Sequence, residues 1–123
     1  MSKKVLIVED DMFSANLLRQ ILRNGGYDPI IAENGQVGIA ELLNDAGITK
    51  CLLDLNMPIM DGYEFLQIIS KEPGFNKLKI YITSSNSEDV FVRNISNHEI
   101  NYDLIKGYYE KPFDFNNIIA KLG

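Results

Sequence analysis

From one end to the other, apolar runs of strand length alternate with amphipathic stretches of helical spacing. Lys4-Val5-Leu6-Ile7-Val8 is continuous and short, as a strand buried on both faces must be. Phe13, Leu17, Leu18, Ile21 and Leu22 then recur on one helical face, and Gly25-Gly26 ends the pattern. Tyr27 to Ala32 reads as a second strand. It contains Pro29, which has no N–H to donate to a ladder, so this strand belongs at a sheet edge. Asn34 can cap a helix through Val37, Ala40 and Leu43, weakened by Gly35 and Gly38 by about 1 kcal/mol each relative to alanine. Cys51 to Leu55 is a third strand, Tyr63, Phe65, Leu66 and Ile69 mark a helix after Asp61-Gly62, and Leu78 to Thr83 is a fourth strand. Ser87, followed by Glu88 and Asp89 where the dipole favours acids, opens a helix in the stretch up to Ile100. A fifth strand spans Ile105 to Tyr109, and Phe115, Ile118, Ile119 and Leu122 form a last helix capped by Asp114.

Strands this apolar must be covered on both faces, and strand–helix–strand units achieve that with right-handed crossovers and a parallel sheet. The expectation is an α/β domain of five strands and five helices. At 123 residues and 46% apolar content the chain has material for one core, hence one domain over residues 1–123. No apolar run approaches the ~20 residues that span a bilayer, and the start is too brief for a signal peptide. The lone cysteine, Cys51, sits among apolar neighbours and reads as a buried thiol in a reducing compartment, so a cytoplasmic location is expected. Seventeen acids face 12 bases for a net charge of −5. The bases are scattered, which argues against direct nucleic-acid binding.

Parallel sheets of this kind bind ligands at the carboxyl ends of their strands, where the strand order reverses. Glu9-Asp10-Asp11 follows the first strand directly and Asp54 ends the third, so both fall at that edge. If those strands are neighbours, at least three carboxylates converge, and like charges that close need a cation between them. Mg²⁺ suits such a site, because it prefers oxygen ligands and is commonly held by one or two carboxylates plus a phosphate oxygen. Taken alone, Glu9 to Asp11 also reads as an acid cluster at a helix N-terminus, the part assigned to Asp11. Thr83 brings a hydroxyl to the same edge, and Lys111 leaves the last strand just before Pro112. Nucleophile, ammonium clamp and hydrogen-bond donor together make a set for phosphoryl transfer.

In that order, Glu9-Asp10, Asp54 in "LLDLNMPIMDG", Thr83 in "YITSS", and Tyr108 and Lys111 in "GYYEKPF" resemble the receiver domain of two-component response regulators. The resemblance covers essentially the whole chain and implies a flavodoxin-like (βα)5 three-layer sandwich, a parallel five-stranded sheet in the order 2-1-3-4-5. It implies that Asp54 accepts a phosphoryl group from a sensor histidine kinase or a histidine phosphotransfer protein. Asp10 and Asp54 would ligate Mg²⁺ through carboxylates, Asn56 through its backbone carbonyl, and Glu9 through a water. Lys111 would pair with the phosphoryl oxygens, Thr83 would donate to them, and Tyr108 would be the rotating aromatic that turns inward when Thr83 moves. Pro112 resembles the family's cis proline, and Pro58 and Gly62 shape the loop after Asp54. The output would be a protein-binding face made by the fourth helix, fifth strand and fifth helix, on a monomer or weak dimer without membrane insertion.

The separation of Thr83 from Lys111 is longer than the family pattern, with the excess in "NISNHEINYDLIK". His98 lies there and reads as an exposed loop histidine rather than a ligand. Because the domain begins directly at Met1 and the chain ends just past the last helix, a stand-alone receiver without an effector domain, binding a partner or passing phosphate onward as a phosphorelay intermediate, is the favoured expectation, with a fragment of a longer protein as the alternative. Haloacid dehalogenase-like phosphatases share the Asp, Thr or Ser, Lys and Mg²⁺ set. They need a second Asp two residues after the nucleophile, where this chain has Asn56. A regulatory phosphoacceptor, not an enzyme acting on separate substrates, is the expectation.

Overall fold

The structure, a computed structural model, describes residues 3–57, 60–95, 99–112 and 114–122. Pro58 and His98 lie outside the described residues. The strands are β1 (Lys4–Val8), β2 (Asp28–Ala32), β3 (Lys50–Asp54), β4 (Lys79–Ser84) and β5 (Ile105–Glu110). They form one parallel sheet in the order β2-β1-β3-β4-β5, as expected. Pro29 sits on the edge strand β2, opposite Val5 of β1, where no outer neighbour needs its missing N–H.

Five helices cover the sheet: α1 (Met12–Asn24), α2 (Gly35–Asn44), α3 (Gly62–Lys71), α4 (Glu88–Ile95) and α5 (Phe115–Leu122). Successive strand residues point to opposite faces, so each strand feeds two cores. Leu6, Val8, Cys51, Leu53, Ile80 and Ile82 pack with Leu42 of α2, Phe65, Leu66 and Ile69 of α3, and Phe91 of α4. On the other face Val5, Ile7, Leu52 and Tyr81 meet Ala15, Leu18 and Leu22 of α1 and Ile118 and Leu122 of α5. Val5, Leu6, Ile7 and Val8 are each 0% exposed, which is why β1 reads as an unbroken apolar run. Fully burying each such side chain contributes about 1.5–3 kcal/mol.

Helix starts follow local chemistry. Asp11 accepts the Phe13 N–H at 3.1 Å, Asn34 the Val37 N–H at 2.9 Å, and Asp61 the Glu64 N–H at 2.9 Å. Each satisfies a donor that the first turn leaves without an intrahelical partner. Gly38, read as a weak point of α2, has a packing reason: a Cβ there would come within 3.0 Å of Val8 Cγ2 and 3.2 Å of Phe65 Cε2. The helix lies so close to β1 and α3 that an alanine here would need Val8 or Phe65 to give way by a few tenths of an ångström.

Several strand ends lie one residue from the sequence reading. β3 ends at Asp54, one residue early, because the Leu55 carbonyl turns to accept the Gly62 N–H at 2.9 Å. The end of the fourth helix, left open by the sequence, is described as far as Ile95, and Ile100 is not helical. Ile100 instead packs on the core, Leu104 is buried in it, and the Asn101 N–H donates to Ser70 Oγ of α3 at 2.8 Å.

Candidate functional site

In a parallel sheet every strand ends at the same edge, and the register decides which side chains become neighbours there. Val8 pairs with Leu53, and Asp54 pairs with Thr83. Glu9 therefore follows β1 beside Asp54, with its own N–H donating to the Ala32 carbonyl at 3.0 Å. Carboxylate oxygens of Glu9, Asp10 and Asp54 lie within 4.8 Å of one another. Glu9 and Asp54 are buried, whereas Asp10 is exposed to solvent.

Lys111 closes the group from the side of β5. Its Nζ is 3.4 Å from Glu9 Oε1 and 3.5 Å from Asp54 Oδ1. The Lys111 N–H donates to the Ser84 carbonyl at 2.7 Å, tying the end of β5 to β4, and the Lys111–Pro112 peptide is cis. Burial pulls Lys111 down, but Asp54 and Glu9 outweigh it and hold the ammonium above its ordinary value. Burial, then the hydrogen bond and charge of Asp54, push Glu9 up to about 8 against the opposing pull of Lys111. One ammonium does not offset three carboxylates. The donor set is all oxygen, compact and in excess of its positive charge, which fits a hard divalent cation such as Mg²⁺.

Around this cluster the Asn56 N–H donates to Asp54 Oδ1 at 3.3 Å. Thr83 Oγ1 donates to the Leu53 carbonyl at 3.5 Å, within the sheet and not to the Asp54 carboxylate. Tyr108 stands apart: its hydroxyl donates to the carbonyls of Asn86 at 2.7 Å and Ser87 at 3.2 Å, and its ring centroid is 5.4 Å from that of Phe91. Tyr109 packs against the opposite core, with α1 and α5. Gly62 lies directly under the site, since a Cβ there would sit 2.6 Å from Leu55 Cα and 3.0 Å from the Asp54 carbonyl.

The structure thus brings Glu9, Asp10, Asp54 and Lys111 into one cluster, sets Asn56 and Thr83 on its border, and puts Tyr108 over the start of α4. Sequence reasoning passed over Ser84 and Phe91. Ser84 is 0% exposed, its carbonyl holds Lys111, and its Oγ accepts the Asn86 N–H at 3.0 Å. Its only signal was its place directly after Thr83. Phe91, also 0% exposed, carried only the helical spacing of an ordinary core residue.

With fold and site in place, the chain can be assigned: it belongs to the response regulator receiver domain family, whose profile matches residues 5–123. Receivers are regulatory phosphoacceptor domains that use Mg²⁺ at an acidic site and interact with histidine kinases or phosphotransfer proteins. A receiver domain protein described as CheY-like, from Methanospirillum hungatei, is 27% identical with a TM-score of 0.79, covering 99% of this chain and 91% of that one. The transcriptional regulatory protein PcoR of Escherichia coli is 26% identical over 98% of this chain and 50% of its own length. Hybrid signal transduction histidine kinase A of Dictyostelium discoideum is 29% identical over 74% of this chain and 4% of its own. The chain spans about half, or less, of the length of these curated relatives. Among the described residues no helix is long and apolar enough to cross a membrane.

Proposed function

We propose that this chain is a phosphorylation-dependent switch in which Asp54 takes a phosphoryl group from the phosphohistidine of a sensor histidine kinase or a histidine phosphotransfer protein. The observation that carries the reading is Lys111 Nζ standing 3.4–3.5 Å from both Glu9 and Asp54 at the end of the central strand. An Asp54 carboxylate oxygen forms the bond to phosphorus while the donor's phosphorus–nitrogen bond breaks, and the electron pair leaves with the imidazole. Mg²⁺, held by the Asp10 and Asp54 carboxylates and the Asn56 carbonyl with Glu9 acting through water, would offset the negative charge gathered between nucleophile and phosphoryl oxygens. Lys111 supplies a second positive charge to those oxygens. Thr83 exchanges the Leu53 carbonyl for a phosphoryl oxygen.

The switch follows from the change in partners. The phosphoryl group adds negative charge at one end of β3, and contacts from Thr83 and Lys111 favour one arrangement of α4, β5 and α5, with Tyr108 moving as Thr83 does. Moving such an equilibrium from 1:99 to 99:1 takes about 5.5 kcal/mol of differential interaction. The readout is capture of a downstream protein; onward transfer of the phosphate in a relay uses the same chemistry in reverse.

Incubation with Mg²⁺ and acetyl phosphate, followed by intact-protein mass spectrometry, tests the reading. One added phosphoryl group, absent in Asp54→Asn and in the presence of a chelator, is expected. No modification of the wild-type chain would sink it, and sustained multiple turnover on unrelated phosphomonoesters would favour a phosphatase.

A further inference from the structure

Among the residues that lengthen the path from Thr83 to Lys111, the described stretch 99–104 forms a strap. Leu104 is 3% exposed in the core, and the Asn101 N–H is held by Ser70 Oγ at 2.8 Å. Lys71 of α3 faces Glu99 at 3.5 Å. The strap then turns Tyr102 back onto α4. Its ring centroid lies 6.5 Å from that of Phe91, and its hydroxyl donates to Glu88 Oε2 at 3.4 Å.

Phe91 is the shared contact of three tyrosines, with Tyr108 at 5.4 Å, Tyr63 at 5.9 Å and Tyr102 at 6.5 Å. Tyr108 holds the entry to α4 through the Asn86 and Ser87 carbonyls, while Tyr102 holds the next residue, Glu88, through its side chain. Both tyrosines therefore hold the start of α4, Tyr108 just before its first residue and Tyr102 at it. The helix begins five residues after Thr83, whose hydroxyl is bonded to the Leu53 carbonyl and not to Asp54. For Thr83 to reach a group on Asp54, the segment from Thr83 into α4 has to shift. Anything that anchors Glu88 opposes that shift.

We propose that Tyr102 is a positioning residue for α4, a latch by which the strap holds the switch in the arrangement where Thr83 is disengaged. The inference rests on the reading of Asp54 as phosphoacceptor and adds a regulatory contact to it. The latch acts through α4, since the contacts that place Tyr102 there are with Glu88 and Phe91 of that helix.

The test uses Tyr102→Phe, which keeps the ring and removes the hydroxyl. In the metal-free protein, amide hydrogen exchange from Ser87 to Phe91 is expected to quicken several-fold. With Mg²⁺ and beryllofluoride, a phosphoryl mimic, binding should tighten roughly three- to ten-fold, a tenfold change being about 1.4 kcal/mol. Glu88→Ala should reproduce both effects, and Glu88→Gln, which retains an acceptor, should stay near wild type. Unchanged exchange, or beryllofluoride affinity that is equal or weaker in Tyr102→Phe, overturns the latch while leaving Asp54-dependent binding in the wild type intact. Failure of the wild type itself to bind beryllofluoride overturns the phosphoacceptor reading, and the latch with it.

Discussion

Burial and the Asp54 carboxylate raise Glu9 to about 8 from an ordinary 4.5, so the metal-free fold keeps this proton at pH values where the unfolded chain has lost it. Its contribution to stability is complete below pH 4.5 and is lost as the pH rises toward about 8. Urea melts in chelator at about pH 5 and about pH 8 should show the weaker fold at the higher pH, with Glu9→Gln removing most of the difference. Equal melts for the wild type would contradict the crowding of carboxylates described above. Lys111 relieves that crowding, since its ammonium is the only cation paired with Glu9 and Asp54 among the described residues. Replacing it with methionine should slow labelling by acetyl phosphate by about 10²-fold, the usual cost of losing one group that stabilises transition-state charge. Retention of the wild-type labelling rate would remove Lys111 from the mechanism. These residues were legible because each directly follows, or ends, an apolar strand. Ser84 was not, because its work is done by a main-chain carbonyl that any residue could have supplied.

Elements placed by local chemistry could be read, and those placed by distant contacts could not. The caps Asp11, Asn34 and Asp61 accept bonds from the first turns of their own helices, so their spacing alone announces the helix starts. Asn34→Ala should cost about 1 kcal/mol in chemical denaturation, the value of an ordinary cap. Gly62→Ala is a different case. Its Cβ would lie 2.6 Å from Leu55 Cα, and main chain cannot swing aside as a flexible side chain can. A loss of about 1–3 kcal/mol is expected, typical of overpacking, together with slower labelling of Asp54, whose carbonyl is also crowded. A neutral Gly62→Ala would mean that the β3–α3 connection yields freely. The end of α4 was left open by the sequence for a related reason: Ile100, Asn101 and Leu104 are held by the core and by Ser70, about thirty residues earlier in the chain. Helical spacing contains no trace of such a partner.

Assembled, the molecule gathers negative charge where its strands end, and a bound divalent cation should stabilise it by mass action. At a hundredfold excess over the dissociation constant the gain is about 2.7 kcal/mol. Mg²⁺ is therefore expected to raise the melting temperature, more at about pH 8 than at about pH 5, and Asp10→Asn should abolish most of the effect. A melting temperature indifferent to Mg²⁺ would count against the metal site. The sequence by itself determined the α/β class, the edge position of the strand that carries Pro29, and the arrival of Glu9, Asp54, Thr83 and Lys111 at one edge. All of that follows from periodicity and from the rule that parallel strands end together. Only the tertiary structure decided that Lys111 stands between Glu9 and Asp54, that the Thr83 hydroxyl rests on Leu53, and that residues 99–104 before β5 contact α3 and α4. Those facts depend on register and on contacts between segments far apart in the chain, and no local pattern of residues encodes a distance across a sheet.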